Sequence, residues 1–243
     1  MADPPRVTFL IAGIQKGGTT ALFDYLGDYG DIALSGAKEL HFFDDESRDW
    51  AAPDYAAYEA RFPDPAGRPC GEATPIYSYW PGALARIAAY NPAIKLILVL
   101  RDPVARAWSH WRMETARSVE TRPFGWCIRQ GRQRLFEAEP WGHHREFSYV
   151  ERGFYGEQLD RVCGLFPREQ VLILRSEVLR ADPAGTLGEV RRFLGLAAAP
   201  APSPREVHVG TAGDGLSEAD AAFLRQVYAT DAARLADLTG VRF

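Results

Sequence analysis

Short apolar runs alternate with longer amphipathic stretches along most of this 243-residue chain. Residues 7–12, 94–100 and 171–174 are nearly continuous apolar runs with the length of buried strands, and residues 70–73 predict a weaker strand. Strands that are apolar on both faces are typical of parallel sheets, which helices cover on both sides. These runs therefore predict the strands of a mostly parallel sheet.

The stretches between the predicted strands have the periodicity of amphipathic helices. Apolar residues recur three and four positions apart in residues 20–29 and again in residues 183–194. Asp102 and Pro103, one residue beyond the run at 94–100, are typical of a helix cap followed by the first helical position. The alternation of strands and helices predicts an α/β fold: a single P-loop-like domain with a central, mostly parallel sheet flanked by helices.

The chain length also fits one domain, since α/β domains of this size are common. We therefore expect residues 1–243 to form a single domain. Within it, the Pro- and Ala-rich residues 197–204 predict a stiff connector, and residues 216–239 predict a C-terminal helical segment. Ser217 and Asp220 resemble a capping box at the start of that segment, with Asp in place of the usual Glu.

Composition narrows the classes of partner that the chain can bind. The formal net charge is −4, from 28 basic and 32 acidic residues, so we expect no nucleic-acid partner held by the charge of the whole chain. The 3 cysteines lie far apart without metal-ligand spacing, which predicts neither a disulfide framework nor a metal site. No apolar run approaches the ~18 residues of a membrane span, and the N-terminus lacks the pattern of a signal peptide. We therefore expect a cytoplasmic protein without a membrane anchor; its oligomeric state is not indicated.

The loop at residues 13–20 joins the first predicted strand to the first predicted helix. Its glycines allow the backbone to approach a ligand closely, and N–H groups at a helix N-terminus attract phosphate or sulfate. An ordinary ATPase loop places lysine directly before the Ser or Thr that ends the motif. Here Lys16 comes earlier, so the loop is phosphate-binding in style without being an ordinary ATPase loop. The alternative is a glycine-rich turn that binds no ligand.

The displaced lysine is one of three motifs that together resemble a known family. Residues 16–20 (KGGTT), 38–44 (KELHFFD) and 100–110 (LRDPVARAWSH) follow one another in the order found in sulfotransferases that use 3′-phosphoadenosine-5′-phosphosulfate (PAPS). The chain is most similar in pattern to the branch that contains the heparan sulfate N- and O-sulfotransferases and their bacterial relatives. The resemblance covers most of residues 7–195.

The first and third motifs, by this resemblance, bind the donor PAPS. A dianionic 3′-phosphate needs a strong donor, which the planar fork of Arg101 supplies, and Ser109 lies two helical turns past Asp102. Lys16 can stabilise the charge that develops on the leaving phosphate. The predicted cofactor-binding residues are Lys16, Gly17, Gly18, Thr19, Thr20, Arg101 and Ser109. Taken alone, Arg101 could equally form a salt bridge with a neighbouring acid.

The second motif, by the same resemblance, supplies the base for the acceptor. Glu39 and His41 are two residues apart, so in an extended stretch they point the same way. The resemblance implies Glu39 as base, with His41 orienting the acceptor or stabilising the sulfonate. Two alternatives stay open: His41 is the base, or Glu39 is a surface acid beside Lys38. Lys38 and Asp44 are predicted to contact substrate, or Asp44 to fix His41. A partly dry cleft beside an anionic sulfonate is expected to raise the pKa of Glu39, with Lys38 and His41 opposing.

Together these features predict a sulfotransferase that moves the sulfuryl group of PAPS to an acceptor hydroxyl by in-line displacement, with no metal required. A base at Glu39 favours an alcohol acceptor, because a phenol ionises readily and depends less on a base. The resemblance implies that this alcohol is a carbohydrate or a natural product. One alternative is a P-loop kinase that uses ATP and magnesium. The other is a nucleotide-binding module that has lost catalysis.

Overall fold

The strands of the described residues form a single parallel sheet. The computed structural model describes residues 6–205 and 215–243. Within these residues, five strands pair in parallel in the order β2-β3-β1-β4-β5. The strands are β1 (Phe9–Gly13), β2 (Ala33–Leu34), β3 (Cys70–Ala73), β4 (Lys95–Leu100) and β5 (Val171–Arg175). The predicted α/β fold with a mostly parallel sheet and flanking helices is confirmed; β2 was not predicted, because two residues are too few to form an apolar run.

Helices connect the strands and continue beyond the sheet. They are α1 (Thr19–Gly27), α2 (Tyr55–Glu59), α3 (Ala83–Tyr90), α4 (Pro103–Ala116), α5 (Phe124–Cys127), α6 (Tyr155–Leu165), α7 (Ser176–Ala181), α8 (Pro183–Leu194) and α9 (Glu218–Thr239). The two predicted caps are confirmed: Asp102 accepts from the Ala105 N–H at 2.7 Å, and the Ser217 hydroxyl accepts from the Asp220 N–H at 3.1 Å. Residues 197–204 contain neither helix nor strand, as expected for a connector.

The chain divides into two compact units. The first comprises the described residues within Met1–Leu100 and Val162–His208, and the second those within Arg101–Arg161 and Val209–Phe243. All five strands lie in the first unit, whereas α4, α5 and α9 lie in the second. The prediction of a single domain over residues 1–243 stays a prediction.

The core of the first unit packs one face of the sheet against helices. Phe9 and Ile11 of β1 and Ile97 of β4 are completely buried in a cluster with Leu22 and Leu26 of α1. Alternate residues along a strand face the same side, so this packing uses every second residue of β1 and β4. Because α1 is fixed by its apolar face, its N-terminus is held directly after the end of β1.

The second unit has an apolar core of its own. Val104 and Ala107 of α4 pack with Phe124 of α5 and with Ala221 and Leu224 of α9. At the edge of this core, the Arg129 guanidinium donates to Asp220 at 2.6 Å and so joins the end of α5 to the start of α9. Within the second unit, α4 is therefore held by apolar packing against α5 and α9.

Candidate active site

The loop between β1 and α1 closes tightly against β4. The Gly17 N–H donates to the carbonyl of Ile14 at 2.9 Å. A Cβ atom on Gly17 would lie 2.0 Å from the carbonyl oxygen of Val99, so no other residue fits there without a shift of the backbone. Gly18, with φ 102°, is the N-cap of α1, and no side chain caps this helix end. The first-turn N–H groups of α1 are therefore arranged as a helix N-terminus that attracts phosphate or sulfate.

Lys16 stands at the turn of the same loop, with φ 68°. This left-handed conformation is unfavourable for a residue with a Cβ atom, and such strain often occurs where a loop holds a functional group. Thr19 is buried, whereas Lys16 and Thr20 are half-buried. The predicted cofactor residues 16–20 thus occupy one continuous loop and helix start, and their contact with a cofactor stays a prediction.

The segment at residues 38–44 holds four charged side chains in a chain of ion pairs. Lys38 Nζ lies 2.8 Å from Glu39 Oε1, and Glu39 Oε2 lies 3.3 Å from His41 Nε2. On the other side of the imidazole, His41 Nδ1 lies 2.9 Å from Asp44 Oδ2, and the Asp44 side chain is completely buried. The side chains of Glu39 and His41 are 36% and 44% exposed, so a substrate in solution can reach both.

These contacts set the protonation states of the pair. Burial alone would raise the pKa of Glu39, but the hydrogen bond from His41 and the charge of Lys38 outweigh it and lower that pKa to about 2. Hydrogen bonds to Asp44 and Glu39 raise the pKa of His41 to about 9 against the effect of burial. At neutral pH, Glu39 is therefore a carboxylate and His41 an imidazolium. The expected rise in the pKa of Glu39 is wrong for this structure, because the His41 hydrogen bond and the Lys38 charge together outweigh the effect of burial.

Two buried hydroxyl groups hold the backbone on either side of His41. The Leu40 N–H donates to Thr74 Oγ1 at 3.0 Å, and the Phe42 N–H donates to the Tyr77 hydroxyl at 3.1 Å. Both hydroxyl groups donate in turn to Glu72, which is completely buried. The sequence-based site did not include these three residues. An acidic residue, Glu72, inside the strand predicted at 70–73 was the signal that could have indicated them.

The aromatic residues of the segment are part of the core, where they anchor the charged residues. Phe42 stacks on Tyr58 with ring centroids 4.5 Å apart, and Phe43 meets Tyr77 edge to face at 5.5 Å. The Arg48 guanidinium lies 4.3 Å from the centroid of the Phe42 ring, on the solvent side of the cluster. The apolar half of the motif therefore fixes the segment, and its polar half is left to carry the chemistry.

Arg101 and Ser109, the predicted 3′-phosphate residues, both lie in the second unit. Arg101 is the first residue after β4, and its carbonyl accepts a hydrogen bond from the Tyr155 hydroxyl at 2.9 Å. Ser109 is half-buried on α4, seven residues after Asp102, which places the two on the same face of the helix start. The loop at 16–20 and the segment at 38–44 lie in the first unit. The roles of Arg101 and Ser109 stay predictions.

The chain is similar over most of its length to known proteins. The family described as "Sulfotransferase domain" matches residues 6–208. Human heparan sulfate glucosamine 3-O-sulfotransferase 3B1 is 36% identical over 187 residues, which cover 77% of this chain and 45% of that protein. Bifunctional heparan sulfate N-deacetylase/N-sulfotransferase 1 of Xenopus laevis is 28% identical over 207 residues, which cover 77% of this chain and 22% of that protein. The chain thus spans less than half the length of these relatives.

A solved structure extends the similarity to the whole fold. The sulfotransferase from Alicyclobacillus acidocaldarius superposes with a TM-score of 0.80 and 26% identity, covering 100% of this chain and 98% of that one. The resemblance inferred from the three motifs, to the heparan sulfate branch and to bacterial relatives, is confirmed.

The prediction of a cytoplasmic location is wrong in the light of these relatives. Enzymes named for heparan sulfate act on a glycan of the secretory route, whereas the prediction rested only on the lack of a signal pattern and of a long apolar run.

Across residues 6–205 and 215–243, no helix combines the length and apolar character that a bilayer crossing requires. The same residues contain no group of three or more His, Cys, Asp or Glu side chains placed to hold a metal ion.

Proposed function

The chain belongs to the sulfotransferase family, and we propose that it transfers the sulfuryl group of PAPS to the hydroxyl of an acceptor alcohol, with Glu39 as the base. The observation that carries this proposal is the contact of Glu39 Oε2 with His41 Nε2, 3.3 Å apart, between two side chains that are 36% and 44% exposed. This contact lowers the pKa of Glu39 and raises that of His41. Lys38 on one side and Asp44 on the other hold that pair in place.

The reaction exchanges one sulfur–oxygen bond for another. The acceptor oxygen forms a bond to sulfur while the bond from sulfur to the 5′-phosphate oxygen breaks, and the leaving adenosine 3′,5′-bisphosphate keeps the electron pair. Lys16 and the N–H groups at the start of α1 stabilise the charge that develops on this phosphate. The acceptor proton passes to Glu39. The protein's contribution is thus positioning and charge stabilisation along an in-line path.

Glu39 is the member of the pair that can accept a proton at neutral pH. An imidazolium has no lone pair, since both of its nitrogens carry hydrogen, and those of His41 face Glu39 and Asp44. Each carboxylate oxygen of Glu39 has two lone pairs, so one remains for the acceptor hydroxyl after Lys38 and His41 are bound. An acceptor that draws Lys38 away would also make Glu39 more basic, which fits the predicted role of Lys38 in substrate binding.

The acceptor that we propose is a hydroxyl of a carbohydrate or a natural-product alcohol. The similarity to enzymes named for heparan sulfate glucosamine favours the carbohydrate. The 36% and 44% exposure of the Glu39 and His41 side chains lets an acceptor hydroxyl reach both.

Incubation with labelled PAPS and a panel of sugar, glycan and natural-product alcohols tests this function. We expect label to appear on at least one hydroxyl acceptor in magnesium-free buffer. A parallel incubation with labelled ATP and magnesium is expected to transfer nothing, because the lysine of the loop does not stand where a kinase needs it. Label transfer from ATP would favour the kinase alternative. Binding of PAPS without transfer to any member of the panel would favour an inactive module.

The product nucleotide is expected to bind at least about tenfold more tightly than AMP. The 3′-phosphate adds charge-assisted hydrogen bonds to Arg101 and Ser109, and each such bond contributes about 1.5–3 kcal/mol. Adenosine 3′,5′-bisphosphate should therefore raise the melting temperature well above the value with AMP at equal concentration. Thermal shift and calorimetric titration measure both effects. Equal shifts for the two nucleotides would contradict a 3′-phosphate site.

A further inference from the structure

Beneath the segment that carries Glu39 and His41 lies a buried hydrogen-bonded group consisting of Glu72, Thr74 and Tyr77. We propose that Glu72 is a positioning residue for the acceptor base, acting through the hydroxyl groups of Thr74 and Tyr77; this inference rests on the proposed function. None of the three touches the reacting atoms in this proposal. Their effect is to fix the backbone from which Glu39 and His41 project.

The segment needs such support because it has no secondary structure of its own. Residues 38–42 belong to neither helix nor strand, so no regular hydrogen-bond ladder holds their N–H groups. The N–H groups of Leu40 and Phe42, which flank His41, are bound by side-chain hydroxyls at 3.0 and 3.1 Å. Between these two anchors His41 adopts φ 51°, a left-handed conformation that persists only where its surroundings impose it.

Glu72 fixes the direction of both hydrogen bonds. Thr74 Oγ1 donates to Glu72 Oε2 at 2.6 Å, and the Tyr77 hydroxyl donates to Glu72 Oε1 at 2.8 Å. A hydroxyl has one proton, and when a carboxylate takes it the oxygen lone pairs are left to face the backbone N–H groups. Without an acceptor at position 72, each hydroxyl is free to rotate its proton toward the backbone N–H group. The hydrogen bond from that N–H group to the hydroxyl oxygen would then be lost.

The cost of burying Glu72 makes a purely structural role a poor explanation. The residue is completely buried in β3, between glycine and alanine, and burial raises its pKa although the Thr74 and Tyr77 hydroxyls oppose the rise. A buried carboxylate is expensive, and an apolar residue of similar size would stabilise a central strand better. Glu72 instead accepts hydrogen bonds from the Thr74 and Tyr77 hydroxyls. These two hydroxyls in turn accept from the backbone N–H groups on either side of His41.

Two Tyr-to-Phe substitutions separate positioning from stability. Tyr77→Phe removes the hydroxyl that links Glu72 to the Phe42 N–H. Tyr58→Phe is the matched control, because the Tyr58 hydroxyl also donates to Glu72, at 3.3 Å, and its ring is equally buried. Unlike the Tyr77 hydroxyl, the Tyr58 hydroxyl makes no hydrogen bond to residues 38–44. The ring of residue 58 that stacks on Phe42 is kept in the control. Glu72→Gln is a second, direct variant.

We expect Tyr77→Phe to lower kcat about 10- to 100-fold, since small displacements of a catalytic group have effects of this size. The kcat of Tyr58→Phe should stay within about twofold of that of the parent protein. Glu72→Gln should lower kcat about tenfold, because its amide nitrogen cannot accept a hydroxyl proton. Melting temperatures and the affinity for adenosine 3′,5′-bisphosphate should be similar in the two Tyr-to-Phe variants. A loss of kcat at unchanged nucleotide affinity is what a merely structural role would not produce.

A measurement on His41 tests the inference without any turnover. The His41 imidazole faces Glu39 and Asp44, with Lys38 beyond Glu39, so its titration by NMR reports whether the segment is in place. In Tyr77→Phe and Glu72→Gln the His41 pKa should fall from about 9 toward its ordinary value, and in Tyr58→Phe it should not. If Tyr77→Phe matches Tyr58→Phe in kcat and in this titration, the inference is wrong. If the titration moves but Glu39→Gln keeps full turnover, positioning holds and the proposed base is wrong instead.

Discussion

Replacement of Glu39 by glutamine is expected to lower turnover by about two to four orders of magnitude, the usual contribution of a positioned general base. Glutamine keeps the size of the side chain and can still accept from Lys38 or His41, but it cannot take a proton from the acceptor. The affinity for adenosine 3′,5′-bisphosphate should stay unchanged, since Glu39 is assigned to the acceptor. Single-turnover rates with excess PAPS, together with calorimetry of the product, measure the two quantities separately.

Glu46→Gln is the matched control for the loss of a carboxylate nearby. Glu46 belongs to the same stretch of chain, but its carboxylate binds Arg86 at 2.6 Å and Trp80 at 2.8 Å rather than His41. Its turnover should stay within about twofold of the parent. His41→Ala should reduce turnover less than Glu39→Gln, or chiefly raise KM for the acceptor. An active Glu39→Gln beside an inactive His41→Ala would reverse the assignment.

The pH dependence of the parent enzyme distinguishes the same two assignments. Glu39 is ionised above about pH 2 and His41 is protonated below about pH 9, so between these limits the pair is in its active form. We therefore expect kcat/KM to be level over the neutral range and to fall as the pH rises through about 9, where His41 loses its proton. If His41 were the base, kcat/KM would instead rise with pH through the same value.

Lys16→Ala is expected to lower turnover by about 100- to 1000-fold, the size found when one donor to a developing oxyanion is removed. The affinity for adenosine 3′,5′-bisphosphate should fall much less, because the largest gain from the ammonium comes as charge develops on the leaving phosphate. Alanine carries a Cβ atom as lysine does, so the backbone at φ 68° is equally strained in both, and the variant tests the ammonium itself.

Arg101→Ala provides the opposite pattern for comparison. Its guanidinium is proposed to bind the 3′-phosphate, which does not react, so its loss should mainly weaken nucleotide binding and raise KM for PAPS. Turnover at saturating PAPS should change far less than in Lys16→Ala. Equal losses of binding and turnover in the two variants would mean that both residues only hold the nucleotide. A Lys16→Ala enzyme with normal turnover would leave Lys16 with a structural role alone.

Much of the fold followed from the sequence because its signals are local. The runs at 70–73, 94–100 and 171–174 became β3, β4 and β5 with shifts of at most one residue at either end. A strand covered on both faces is mostly apolar, and this tendency is visible in the chain itself, although β3 also carries the buried Glu72. The strand β2 and the division into two units were not predicted, because β2 is held by its neighbour and the units depend on contacts between distant parts of the chain.

Only part of the candidate site could be predicted from the sequence. Glu39, His41 and Asp44 stand within six residues, so their grouping could be inferred from spacing. Their ionisation could not, because a pKa depends on how burial and neighbouring charges balance in three dimensions. Sequence reasoning therefore named the right neighbours of Glu39 but the wrong direction for its pKa.

Motif order, strand positions and the family were thus readable from residues that lie close together in the chain. The protonation of Glu39 and His41 and the support beneath them needed the folded molecule. Thr74 and Tyr77 reach the segment from 34 and 35 residues away, and the acid that orients their hydroxyls is hidden in a central strand. The physical reason is that hydrogen-bond direction and desolvation belong to the packed interior, where residues distant in sequence share one environment.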